Sequence, residues 1–136
     1  MIMKNLNGDI HRKNVNIGVF SHLKVTMQIR TVKRLCNKYF LKLEGITIKI
    51  QRNAELLSLP ITGIADYNNI GRIDLTPNAF INEEELIKTI LHESSHVKQL
   101  RKYGKNYVQE NLLYMEQVAY RYEQFYYGLL KRRLSK

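Results

Sequence analysis

Residues 82–104, "NEEELIKTILHESSHVKQLRKYG", constrain the fold more than any other stretch. Asn82 suits a helix N-cap, Glu85 stands where a capping box places its carboxylate, and Gly104 can end a helix. Glu83, Glu84 and Glu85 complement the positive end of a helix dipole, and Lys102 the negative end. A helix is therefore predicted here, and it carries His92, Glu93 and His96, with two of the chain's four histidines among them. Residues four apart on a helix differ by about 40° of rotation and about 6 Å of rise. His92 and His96 thus leave one face and can reach a common ion at about 2.0–2.1 Å. Glu93 lies about 100° round from His92 and flanks that ion. Ser94 and Ser95, between the histidines, are small enough to let another element pack close.

The rest of the chain supplies a frame. "SHLKVTMQIRTVKRLCNKYFLKLEG" reads as a helix from Ser21 to Gly45, with Val25, Ile29, Val32, Cys36, Tyr39 and Leu43 at three- and four-residue steps. "GITIKIQR" alternates Ile46, Ile48 and Ile50 against Thr47, Lys49 and Gln51, the period of a half-buried strand. "ITGIADYNNIGRIDLTP" reads as a hairpin turning at "YNNIG" and closed by Pro77. "QENLLYMEQVAYRYEQFYYGLLKRR" reads as a long final helix. Residues 1–20 are polar and Asn-rich, a loosely held arm. Helix, strand, hairpin, helix, helix is a segregated order, which predicts an α+β domain with a small twisted sheet of about three strands.

Composition narrows the chemistry. The 136 residues suit one domain, 1–136, with a sizeable core. No apolar run approaches the roughly 18 residues a membrane span needs, and no secretory apolar segment opens the chain. The expected location is the cytoplasm, unless a dedicated system exports the protein. Cys36 is the one cysteine, so a metal site must draw on His, Asp and Glu. The net charge of +10 suits nucleic acid or another polyanion as partner, though a solvated basic surface explains it equally well.

Catalytic zinc takes three protein ligands and keeps a fourth position for water. His11 and His22 lack context and read as surface histidines. Glu110, Glu116 and Glu123 remain downstream. Glu116 sits amid Leu112, Leu113, Met115, Val118 and Ala119, where an unpaired carboxylate is costly to bury. Glu123, seven residues on, is the runner-up or a group that orients a ligand.

The residues "HESSHVKQ", then "MEQVAY" with nineteen residues between His96 and Glu116, resemble the gluzincin pattern of zinc peptidases. Gln99 and Lys102 stand where a metzincin has glycine and histidine, and "RLCNK" is unlike the cysteine motif of peptide deformylases. The order of elements over roughly residues 21–130 is similar to the minimal gluzincin core. It is similar also to zincin-like domains of phage head-associated proteins and bacterial polymorphic toxins. The resemblance implies Zn2+ held by His92, His96 and Glu116, with Glu93 as general base in peptide-bond hydrolysis. One of Tyr67, Tyr103, Tyr107, Tyr114 and Tyr120 would stabilise the oxyanion. Many gluzincins carry Asp where this chain has Tyr120, so Asp66, Asp74 or a backbone carbonyl would orient the first histidine. By the same resemblance "GRIDL" is the sheet edge beside the cleft, with Arg72, Ile73, Asp74 and Leu75 binding a protein or peptide substrate. A toxin-type effector would also have an immunity or inhibitor protein as partner. The competing reading is a basic nucleic-acid-associated protein whose metal site is structural or vestigial; salt-dependent DNA binding by a metal-free variant would favour it.

Overall fold

The computed structural model describes residues 20–135. The expected arm, Phe20 excepted, and His11 lie outside them. The fold is α+β: α1 (Ile29–Lys38), β1 (Thr47–Ile50), β2 (Gly63–Ala65), β3 (Arg72–Leu75), α2 (Glu83–Tyr103), α3 (Lys105–Glu110) and α4 (Leu112–Leu134). Short 3-10 turns at Ala54–Ser58 and Pro77–Phe80 link the strands and lead into α2.

The first helix is much shorter than its apolar spacing suggests. Residues 23–29 alternate instead: Leu23, Val25, Met27 and Ile29 are buried or half-buried, and Lys24, Thr26 and Gln28 are exposed. The stretch before Ile29 is irregular, with bends at Lys24 and Val25, and is tied to the turn before α2 by Val25 N–H to Phe80 O at 3.1 Å. The helix starts only after Gln28 and stops well before Gly45. Phe40 adopts φ 61°, Leu41 N–H reaches Cys36 O at 2.8 Å, and Phe40 N–H reaches Asn37 O at 3.1 Å. This pair of bonds is the Schellman arrangement, which closes a helix even without glycine when the next apolar residues are drawn inward.

The strand and hairpin form as expected. The sheet order is β1-β3-β2, with β3 parallel to β1 and antiparallel to β2. Asp66 Oδ1 accepts the amides of Asn68 and Asn69, and Gly71 takes φ 107°, so the hairpin loop is built from the residues that tolerate it. The order corrects one expectation: "GRIDL" is the central strand. Its main chain is engaged on both sides, Ile73 and Leu75 are fully buried, and Arg72 grips Asp74 at 2.7 and 3.0 Å. These four residues therefore support the sheet and do not present an edge to substrate. The edge against α2 is β2.

α2 is capped as its sequence dictates. Asn82 Oδ1 accepts from Glu85 N–H at 2.7 Å, and Gly104 ends the helix at φ 82°. Its face bearing Leu86, Ile87, Ile90 and Leu100 joins the core with Ile73, Leu75, Phe80 and Val32. The expected long last helix, residues 109–133, is α4 with its start moved to Leu112, and the short α3 precedes it across Asn111. α4 buries Met115, Ala119, Glu123 and Tyr127, one residue per turn, against α2. Leu112 and Leu113 are exposed, so of the apolar residues expected around Glu116 only Met115 and Ala119 are buried, with Val118 half-buried. No helix among the described residues is long and apolar enough to cross a membrane.

Candidate metal centre

Packing of α4 on α2 brings the Glu116 carboxylate over the His92–His96 face. The two imidazole Nε2 atoms are 3.2 Å apart. Glu116 Oε2 lies 3.5 Å from His92 Nε2, and Glu116 Oε1 lies 2.5 Å from His96 Nε2. One ligand atom from each residue falls within 4.8 Å of the others, the spacing of a group that could hold a metal ion. Zinc bonds of about 2.0–2.1 Å at tetrahedral angles separate neighbouring ligand atoms by about 3.3 Å. The two longer separations match that edge.

The other nitrogen of each ring is held in place. His92 Nδ1 lies 2.8 Å from Glu123 Oε1, and His96 Nδ1 lies 2.8 Å from Gln99 Oε1. Gln99 in turn donates from Nε2 to Met115 O at 3.0 Å. An acceptor at each Nδ1 keeps a proton there and turns Nε2 toward Glu116, so Nε2 is the atom that a metal would take once it is deprotonated. Glu123 thus orients a ligand from one side, and the Tyr120 ring packs edge-on to His92 at 4.8 Å between centroids. The position where many gluzincins carry Asp is filled by an aromatic wall, and the orienting carboxylate comes from the next turn of α4. Asp66 and Asp74 are spent elsewhere, on the hairpin loop and on Arg72 and Gln51.

His92, Glu93 and His96 are all at least 95 % buried, and Glu116 is half-buried at the cleft. Burial works against a charged His92, but the Glu116 and Glu123 carboxylates outweigh it and hold the imidazole up at about 9 in the metal-free chain. Burial likewise opposes ionised Glu116, and hydrogen bonds from His92 and His96 hold its carboxyl well below the usual range. Burial pushes the Glu93 carboxyl up. A cleft of about 160 Å³ opens beside these groups, with Thr62 and Gly63 on one wall and Tyr120 on the other.

No family model, curated protein or solved structure matches the chain. The geometry of its own residues therefore carries the functional argument.

Among the expected residues, the fold brings His92, His96 and Glu116 together, with Glu93 and Glu123 adjoining them in the cleft wall. Glu110 ends α3 in solvent and His22 is exposed. Of the five tyrosines, Tyr103 and Tyr107 stack on each other and Tyr114 is exposed. Tyr120 lines the cleft, and buried Tyr67 feels the Glu116 charge. Sequence reasoning missed Gln99, whose position three after His96 on one helix face was the available signal.

Proposed function

We propose that this chain is a zinc-dependent peptidase in which His92, His96 and Glu116 hold the metal and Glu93 is the general base. The observation that carries this reading is the convergence of two imidazole Nε2 atoms and one carboxylate, each imidazole braced at Nδ1. The donor set fits zinc: two neutral imidazoles and a carboxylate, with no fourth protein ligand among the described residues. A structural site closes its coordination with a fourth side chain, whereas three ligands beside a cleft suit catalysis.

Zinc bound there would supply Lewis acidity, polarising a scissile carbonyl and bringing a water's pKa toward about 7. Glu93 takes a proton from the attacking water and delivers it to the leaving nitrogen, as the new C–O bond forms and the C–N bond breaks. Burial disfavours its ionised form, so it holds a proton more readily than an exposed glutamate does. Tyr120, which lines the cleft, would donate to a developing oxyanion. An extended peptide would lie along β2, whose outer edge pairs with no other strand among the described residues. This moves the substrate-binding edge from β3 to residues 62–65.

The test is metal analysis of the purified chain beside Glu116→Ala, combined with turnover of a mixed peptide pool. About one zinc per chain in the parent, lost in the variant, with peptide cleavage by the parent alone, is the expected outcome. Full zinc retention by Glu116→Ala would remove Glu116 from the ligand set.

A further inference from the structure

The face of α2 turned away from the metal ligands is only partly covered. Ser94 lies about 200° round the helix from His92, and Leu91, Lys98 and Arg101 share its side. This stripe, residues 41–46 and Tyr122 of α4 enclose a groove of about 230 Å³. Its walls are aliphatic: Leu91 and Val97 are buried, and Leu41, Leu43 and Ile46 are half-buried. Ser94 opens onto the groove, and its small side chain leaves the space unfilled. Aromatic rings extend the rim. Tyr126 packs on Tyr122 with ring centroids 4.5 Å apart, and Phe40 precedes Leu41 in the chain. Phe40 and Tyr126 are 50 % and 42 % exposed. Phe40 also holds φ 61°, an unfavourable conformation for a bulky residue, although its ring is largely outside the core.

Charge points to the kind of occupant. Lys42, Lys98 and Arg101 line the groove, and Arg133 stands over the Phe40 ring at 4.2 Å. Three of these cations are held by neutral groups. Lys98 Nζ donates to Tyr122 Oη at 2.9 Å, Arg101 donates to the Gly45 carbonyl, and Arg133 meets the ring. None of the four forms an ion pair with a described carboxylate. Glu44 is the single acid on the lining, against three cations, which leaves a surplus of two positive charges. An aliphatic slot under unneutralised cations fits an apolar side chain flanked by carboxylates. Nucleic acid offers flat bases, which stack on rings rather than enter an aliphatic slot. A second copy of the chain, at +10, would bring like charge to the same place.

We infer that this groove docks an acidic segment of a partner protein. One leucine- or phenylalanine-sized side chain seats over Ser94, and flanking carboxylates accept from Lys42, Lys98 and Arg101. The net charge of +10 steers such a partner toward the chain. Docking there is independent of the metal centre, because the groove and the metal ligands occupy opposite faces of α2.

Fluorescence anisotropy of the full chain with labelled peptides tests this. The peptides have an alanine background with one leucine or phenylalanine, with or without flanking glutamates, and controls carry serine in place of the apolar residue. A peptide with both features is expected to bind about tenfold more tightly than one lacking either. Lys42→Glu, at a side chain that makes no hydrogen bond or ion pair among the described residues, should weaken binding about tenfold. Lys98→Met, which keeps an apolar stem, should weaken it about three- to tenfold. Lys24→Glu makes the same change in net charge at an exposed position outside the groove and should cost less than about twofold. Thermal melting checks that each variant is folded. Failure of every acidic peptide to bind overturns the docking site, as do equal losses in Lys42→Glu and Lys24→Glu or binding indifferent to the apolar residue. Oligothymidylate, and vesicles of equal parts phosphatidylcholine and phosphatidylserine, are tested beside the peptides. Binding of either that Lys42→Glu weakens, without binding of acidic peptides, overturns the protein occupant and assigns the groove to nucleic acid or to a lipid surface.

Discussion

His92 Nδ1 sits 2.8 Å from Glu123 Oε1, in a contact nine-tenths buried on both sides. The bond joins residues 31 apart in sequence and sets which nitrogen of His92 faces Glu116. Glu123→Ala should therefore weaken zinc binding by about 10–100-fold without abolishing it. Competition with a chelator of known affinity measures this. Gln99→Ala, which frees the His96 ring in the same way, should fall in the same range.

Glu93→Gln should keep about one zinc per chain and lose about 10²–10⁴-fold in peptide turnover. His96→Ala should lose both metal and turnover. Zinc content and kcat/KM on one peptide separate the two cases. Unchanged turnover in Glu93→Gln would remove the general-base role.

Metal uptake by the metal-free chain should release a proton near neutral pH. The His92 pKa is raised to about 9, so the ring is protonated at pH 7 and must lose a proton to become a ligand. Apparent zinc affinity should climb by about tenfold per pH unit between pH 7 and pH 9 and then level off. Calorimetry in buffers of different ionisation enthalpy counts the protons. The same shift has a sign for folding. A raised histidine pKa stabilises the metal-free fold fully below its ordinary value near 6.5, and that contribution fades as pH rises through about 9.

Gly63→Ala should destabilise the fold by about 1–3 kcal/mol. The new methyl would stand 2.6 Å from Thr89 Cγ2 and 3.0 Å from Glu93 Cγ. Thr89 is β-branched and buried on a helix, so it has little freedom to yield. A denaturation midpoint measures the loss, and turnover should fall with it because Glu93 is one of the two groups displaced.

Cys36 should react slowly with thiol reagents in the folded chain. Burial leaves it 2 % exposed and pushes its thiol up to about 11, so at pH 8 only about one molecule in a thousand is thiolate. Modification by an aromatic disulfide should become fast only on unfolding.

Local chemistry was legible where a short stretch of chain contains its own instruction. Asn82 and Gly104 delimit α2 because cap and stop act within a turn of the residues that bear them. The isoleucines of β1 and the Asp66–Gly71 loop were readable for the same reason. The first helix was misread because Leu23, Val25, Met27 and Ile29 satisfy period-two spacing while Val25, Ile29 and Val32 also satisfy helical spacing. Bonds to distant residues select between them: Val25 to Phe80, 55 residues away, Lys24 to Ile81, and Arg52 to the Met27 carbonyl. Sheet order was beyond reach for a related reason: a hairpin dictates that β2 and β3 pair, but nothing local says on which side β1 joins.

For the site, the sequence by itself determined that His92 and His96 share a face and that Glu93 flanks it, since helical rotation is a property of the backbone alone. Tertiary structure decided which glutamate meets them. Glu116 and Glu123 lie seven residues apart on nearly one side of α4, and both carry the same chemistry. The axial position of α4 against α2 gives Glu116 the Nε2 atoms and Glu123 an Nδ1. That offset is set by how the buried Met115, Ala119 and Tyr127 seat on the core, a sum of many weak contacts between distant residues.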